Sequence, residues 1–241
     1  MTAQPSEWQK LLKIALPALD HVFGRETGSK PRWTLGGGTA IAVQINHRIS
    51  HDVDLFVPGT RLKAFTPVEN PAAALISSTY QWPGHYLKFE RPEGEIDFLS
   101  PPLQTDPGFI WTKFEDRTIA VETCEEVIIK KIRYRSTKFT ARDAFDLAAV
   151  SQARPGLAAV IARETADALP RVQENLRLLK ARGIDALANA IIPTESGRKI
   201  LPDTFEIAQQ VIDRAAKIAE GGHETVPQAY RGRGSDNGGI E

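Results

Sequence analysis

Two aspartates one residue apart, Asp52 and Asp54, follow a run of three glycines, Gly36 to Gly38. In an extended segment side chains alternate. Asp52, Asp54 and Phe56 therefore share one face, and Val53, Leu55 and Val57 the other. Two carboxylates so placed repel each other unless a cation lies between them. A hard divalent cation, Mg²⁺ or alternatively Mn²⁺, suits carboxylate oxygens and keeps positions open for phosphate and water. On these two residues alone, the solvent-facing edge of a half-buried strand is an equal reading. A third acid stands in "GEIDFL", where Glu95, Asp97 and Leu99 share a face. If that segment lies beside the Asp52 strand, Asp97 completes a carboxylate set able to hold two metals about 4 Å apart. A surface hairpin acid is the competing explanation.

The glycines give backbone freedom for amides to converge on an anion, and Thr39 would open the helix that follows. Two familiar phosphate loops fail here. A Walker loop needs lysine after its last glycine, where Thr39 and Ala40 stand. A dinucleotide fingerprint needs glycine at the place of Ile41. A plain tight turn is the other possibility.

Cations gather further along. Lys130, Lys131, Arg133, Arg135, Lys138 and Arg142 fall between Val127 and Arg142 with no acid among them. Lys131 and Arg135 are four apart, on one helical face. Lysine offers a point charge to a triphosphate and arginine a bidentate fork. Asp143 fits a helix cap. Asp146, a turn further between apolar neighbours, is placed to anchor Lys131 or Arg135. A solvated basic face with surface acids is the alternative. The five histidines show no metal-ligand spacing, and His51 is out of phase with Asp52. The single cysteine, Cys124, is flanked by glutamates that blunt a thiol and excludes a disulfide within the chain.

The elements that must position these residues can be read from periodicity. Residues 6–23 carry Leu12, Leu16, Leu19 and Phe23 at helical spacing, with Pro17 as a kink or boundary. A short strand at 33–35 leads into the glycine turn, a helix over 39–46 and a strand over 51–57. A short helix falls near 71–77. "HYLKFE" and "EIDFL" form a hairpin about "RPEG". After about residue 122 helices take over: "CEEVIIKKIRYRS", then "TARDAFDLAAVSQA" with Thr140 and Asp143 in a capping-box spacing, then 157–181, 184–192 and 203–220. The glycine-rich end, with "RGRG", reads as a solvated, disordered tail.

With 241 residues there is chain enough for one or two compact units. Lys and Arg total 30 and so do Asp and Glu, so nucleic-acid contact must come from a local patch. No segment reaches the ~20 apolar residues of a membrane span, and the polar N-terminus is no signal peptide. A cytoplasmic location is expected.

"LGGGTAIAVQINHRISHDVDLF" resembles the first motif of the AbiEii/AbiGii-type nucleotidyltransferases, toxins of type IV toxin–antitoxin and abortive-infection systems. Gly37, Gly38 and Thr39 match its turn, and Arg48, Ser50, Asp52 and Asp54 match the rest. "EEVIIKKIRYRSTKFTARDAFDL" is similar to the second motif through Lys131, Arg142, Asp143, Asp146 and Leu147. The resemblance implies an α+β fold: a polymerase-beta-like nucleotidyltransferase core with a mixed sheet over 1–121, a helical lobe over 122–220, and a tail over 221–241. It implies that Asp52 and Asp54 bind Mg²⁺, that Gly37, Gly38, Thr39, Arg48 and Ser50 hold the triphosphate, and that Lys131 and Asp146 complete the site. Arg135 is a further triphosphate candidate and Asp97 a further metal ligand. The family transfers a nucleotide from an NTP, for several members to the tRNA 3′ end, and a cognate antitoxin is an expected partner. A protein or small-molecule acceptor, or a non-catalytic binding protein on the same fold, are the alternatives.

Overall fold

The computed structural model describes residues 7–25, 28–183, 187 and 190–221. A seven-stranded mixed sheet carries the first half of the chain. Its strands are β1 (Thr34–Leu35), β2 (Val53–Phe56), β3 (Tyr80–Gln81), β4 (Tyr86–Arg91), β5 (Gly94–Leu99), β6 (Phe109–Phe114) and β7 (Arg117–Glu122), in the spatial order β3-β4-β5-β2-β1-β7-β6. The hairpin expected about "RPEG" is β4–β5, with Arg91 opposite Gly94. The pairing that matters most joins β2 to β5 in parallel, Asp54 opposite Asp97. Along β2 the pattern alternates: Val53 and Leu55 are buried in the core, while Asp54 and Phe56 face the other side. β5 repeats this with Ile96 and Phe98 inward.

The inward face packs on α1 (Trp8–Phe23), whose Leu11, Leu12, Ala15, Leu16, Ala18 and Leu19 are all buried. Pro17 lies inside this helix and does not end it. Its missing N–H leaves one carbonyl without a helical partner, and the buried residues on either side outweigh that local loss. α2 (Gly37–Ile45) springs from the glycine turn and packs against β2, and the short α3 (Pro71–Ala74), capped by the Asn70 side chain, packs on α1.

β7 ends at Glu122 and α4 (Cys124–Arg135) begins two residues later. The Thr123 side chain caps α4 by accepting from the Glu126 N–H, and Glu125 and Glu126 favour its N-terminus. The Glu126 carboxylate also accepts from the Gln104 and Thr105 N–H groups, pinning the loop before β6. α5 (Ala141–Ala153) opens with the expected capping box of Thr140 and Asp143. The span expected as one helix over 157–181 is two, α6 (Leu157–Thr165) and α7 (Leu169–Arg182), with a 3₁₀ turn over Ala166–Ala168 between them. Pro170 explains the break, since proline is tolerated in the first turn of a new helix and not inside an old one. α8 (Glu195–Ile200) and α9 (Thr204–Ala219) follow, and α9 packs on α5, α6 and α7. One hydrophobic core runs from Leu11 through the sheet to Ala215. Most of the helix expected over 184–192 and the tail from residue 222 lie outside the described residues.

Three strands were not expected from the sequence: β3, β6 and β7. Residues such as Trp111 and Ile110 are exposed on the edge strand β6, so the hairpin β6–β7 shows little alternation. It is held by its six-residue antiparallel register.

Candidate active site

The glycine turn, β2, β5 and α4 enclose a cleft of about 550 Å³. Gly37, Gly38, Arg48, Ser50, Asp52, Asp54, Asp97, Lys131, Arg135 and Arg142 all line it. The motif residues, nearly a hundred positions apart in sequence, thus face one space.

The turn is shaped for close approach. Gly37 has φ +60°, and a Cβ there would lie 1.7 Å from Asp54 Oδ2. A Cβ on Gly38 would lie 1.8 Å from Arg48 Nη2. Only glycine fits at Gly37, and at Gly38 a side chain would displace the Arg48 guanidinium. The Gly36 N–H donates to the Asp54 carbonyl at 2.9 Å and fastens the turn to β2. Beyond it the first amides of α2 have no carbonyl within the helix to meet, and with the helix dipole they favour an anion. Thr39 does not line the cleft. Its buried hydroxyl donates to the Asp52 carbonyl and meets Ser50 Oγ at 2.8 Å, joining α2 to the residues before β2. Its side chain serves the scaffold.

On the sheet side Asp54 and Asp97 stand opposite each other on parallel strands, and Asp52 lies two residues before Asp54. Asp54 is pushed above the ordinary carboxylate range by burial, against the pull of Arg135; Asp52 adds to the rise, and Lys131 and Arg48 oppose it. Asp97 is pushed up to about 7 by burial first and by Asp54 second, with Lys88 opposing at 3.7 Å. Asp97 Oδ1 is buried without a hydrogen-bond partner. Asp52 Oδ1 accepts from the Glu95 N–H at 3.2 Å, and its Oδ2 is 4.0 Å from Arg142 Nη1. Among the described residues no group of three or more His, Cys, Asp or Glu stands close enough together to hold a metal ion. The donor chemistry nonetheless fits a hard divalent cation: carboxylate oxygens that repel one another, one of them orphaned, beside an open cleft.

The helical side is the reverse. Asp146 is fully buried and does not line the cleft. It takes Arg48 through Nε at 2.7 Å and Nη2 at 3.1 Å, Lys131 Nζ at 2.8 Å and His47 Nε2 at 2.6 Å. Burial alone would raise it, but Arg48, Lys131 and His47 hold it well below the usual range. The geometry assigns Asp146 to positioning: it aims Arg48 and Lys131 at the cleft. Arg135, the other candidate for its partner, instead lies 3.5 Å from Asp143, which also binds Lys131 at 2.6 Å. Arg48 gains a second restraint from the C-terminal half. The Ile49 N–H donates to the Ile192 carbonyl at 2.8 Å, and the Thr194 N–H to the His47 carbonyl at 3.2 Å.

Four residues of the site escaped the sequence reading. His47 orients Asp146, and Lys88 faces Asp97 and Glu95 from β4. Glu122, buried at the end of β7, accepts from Thr34 Oγ1 at 2.7 Å and Lys130 Nζ at 2.6 Å. Burial chiefly pushes it up to about 7. Lys130 in turn lies 3.7 Å over the Phe56 ring. Tyr134, half exposed on α4, stands at the rim. The phase of Tyr134 on the Lys131 helix was the one available signal; Lys88 and Glu122 depend on strand order, and His47 on the packing of α5 against the residues after α2. Cys124 is buried and pushed up to about 12, chiefly by desolvation, which makes it inert. His51 does not line the cleft.

A sequence profile of the family described as nucleotidyl transferase AbiEii toxin, type IV toxin–antitoxin system, matches residues 22–194. The chain belongs to the AbiEii family. The AbiEii match spans every motif residue above, from Gly37 to Asp146, and with it the chain is a nucleotidyltransferase of a toxin family. Such enzymes generally use an NTP and a divalent metal, and a type IV system implies a cognate antitoxin. A solved structure from H. pylori, assigned as a nucleotidyltransferase, is similar with a TM-score of 0.55. It is 12% identical, over 90% of this chain and 96% of that one, a likeness of fold. No curated protein matches in sequence. No helix among the described residues is long and apolar enough to cross a membrane.

Proposed function

We propose that this AbiEii protein is an Mg²⁺-dependent toxin that transfers a nucleotide from an NTP to an RNA hydroxyl, the tRNA 3′ end being the favoured acceptor. One observation carries the reading: Asp54 and Asp97 stand side by side on parallel strands, facing Arg48 and Lys131 across the glycine turn. An acidic wall and a basic wall in one cleft suit a cation and a polyphosphate together.

Asp52, Asp54 and Asp97 would hold the metal, which when bound supplies positive charge to the phosphates. The amides of Gly37 and Gly38, with Arg48, Ser50 and Lys131, take the triphosphate. Arg135 and Arg142 close the rim. Asp97, which lines the cleft beside Asp54, would accept the proton of the attacking hydroxyl. That hydroxyl forms a bond to the α-phosphorus, the bond to the β-phosphate bridge breaks, and pyrophosphate leaves. The protein supplies position and charge and forms no covalent intermediate.

The test incubates the purified protein with Mg²⁺, each α-labelled NTP in turn and total tRNA, with Asp52→Ala as control. Label entering tRNA with wild type and not with the variant is expected. If tRNA stays unlabelled while Mg²⁺ and NTP still raise the melting temperature, the acceptor is a protein or small molecule. If neither occurs, the catalytic reading is wrong.

A further inference from the structure

A second groove opens beside the cleft, about 630 Å³ in volume, between the α4–α5 connection and α7. Arg135 and Arg142 line both spaces, so the two are continuous at that rim. Beyond them the groove continues past Lys138 to Arg182. Four cations line it and, among the described residues, no acid.

Among the described residues two of the four meet an acid, Arg135 3.5 Å from Asp143 and Arg142 4.0 Å from Asp52. Arg135 and Arg142 are about half exposed, and Lys138 and Arg182 are exposed with no acidic partner among the described residues. Arg142 is braced where it stands: its Nε donates to the Ala190 carbonyl at 3.1 Å while Nη1 reaches Asp52. The α4–α5 connection is also fixed, by Asn175 Nδ2 donating to the Ser136 carbonyl at 2.6 Å and by the α5 capping box. Among the described residues the groove is therefore a held surface lined by cations, with the exposed Leu178 on its wall. Tyr134, half exposed, offers an aromatic face on the cleft side. A chain with zero formal net charge that concentrates cations this way has built a local polyanion track.

We infer that this groove binds the sugar-phosphate backbone of the RNA acceptor, delivering its end past Arg142 and Arg135 to the carboxylates. The inference rests on the proposed transfer to RNA and adds where the strand lies. Phosphate contacts position a strand without reading its bases. Lys138 and Arg182 act on affinity for the acceptor and not on the NTP. A single-stranded end with an unstacked base on Tyr134 is the form that fits.

The test uses the full chain and a fluorescently labelled 12-nucleotide single-stranded RNA, with anisotropy read across a salt series. Lys138→Gln/Arg182→Gln is compared with Lys13→Gln/Lys63→Gln, an equal charge change on remote exposed positions. The groove variant is expected to bind roughly 10-fold more weakly, with a log–log salt slope shallower by about 1.4. Its thermal shift with Mg²⁺ and NTP should equal that of the wild type. A loss no larger than that of the remote variant overturns the inference. In the labelling assay, a groove variant with wild-type KM for RNA removes the groove and leaves the activity standing. A wild type that binds the strand through the groove yet labels no RNA keeps the groove and removes the activity.

Discussion

Two charged regions lie within one cleft's width, and their electrostatics are opposite. Around Asp146 every charge is answered: one buried carboxylate meets Arg48, Lys131 and His47, and Asp143 shares Lys131 with it. Around Asp54 and Asp97 the acids outweigh the cations that reach them, Lys88 and the arginines and lysine of the opposite wall. Both acids are raised first by burial, then Asp54 by Asp52 and Asp97 by Asp54, with an orphaned Asp97 Oδ1 and Lys88 the near cation at 3.7 Å. A finished network is scaffold. An unfinished one costs stability and is kept where a ligand completes it.

The largest effect should come from breaking the finished network. Asp146→Ala leaves two cations and a histidine buried without their shared partner, and should cost about 3–5 kcal/mol in denaturant unfolding. A variant within 1 kcal/mol of wild type would mean Arg48 and Lys131 find other partners. Because the fold itself is threatened, loss of activity in this variant says nothing about catalysis.

The unfinished side predicts a pH dependence of opposite sign. Asp97 is raised in the folded state, to about 7 against an ordinary value near 4. The folded protein therefore holds a proton that the unfolded chain has lost. Stability from this group is intact below about pH 4 and falls as pH rises to about 7, by at most about 4 kcal/mol. Glu122 contributes with the same sign, so the comparison must be with Asp97→Asn. In metal-free buffer the wild type should lose melting temperature between pH 5 and 8 more steeply than Asp97→Asn. Added Mg²⁺ should restore part of the difference at pH 8. Parallel pH curves for the two proteins would show Asp97 to be unstrained. Asp146, held low, acts the other way and only in acid, where stability is lost as pH falls below the ordinary carboxylate range.

The smallest stability effect, with the largest effect on activity, belongs to Asp54→Asn. Removing one of two repelling carboxylates should leave stability unchanged or raise it by up to about 1 kcal/mol. Nucleotide transfer should be abolished. A less stable Asp54→Asn would place this acid with the scaffold, and the contrast between the two regions would fail.

Much of this was legible before folding. The alternation of Asp52, Asp54 and Phe56 against Val53 and Leu55, the glycine turn and the Thr140–Asp143 box are local patterns, and period and capping decide them. The placing of Asp97 required a condition the sequence states only as a possibility, that β5 lies beside β2. Asp146 was visible as an acid on a buried face, but its partners were not. One, Lys131, was foreseen; Arg48 and His47 come from a segment about a hundred residues earlier. The β6–β7 hairpin, with exposed apolar residues on an edge, shows why alternation fails where one strand has solvent on several sides. The break between α6 and α7 was available from Pro170 and went unread.

The sequence by itself determined which residues are charged, which face of each element they occupy and which backbone turns only glycine can make. These follow from steric and periodic rules that act within a few residues. Tertiary structure alone decided which charges meet. Parallel pairing of β2 with β5 set acid beside acid, and packing of α4 and α5 against the residues after α2 gave Asp146 its cations. Electrostatic interaction depends on distance and burial, and both are properties of the packed chain.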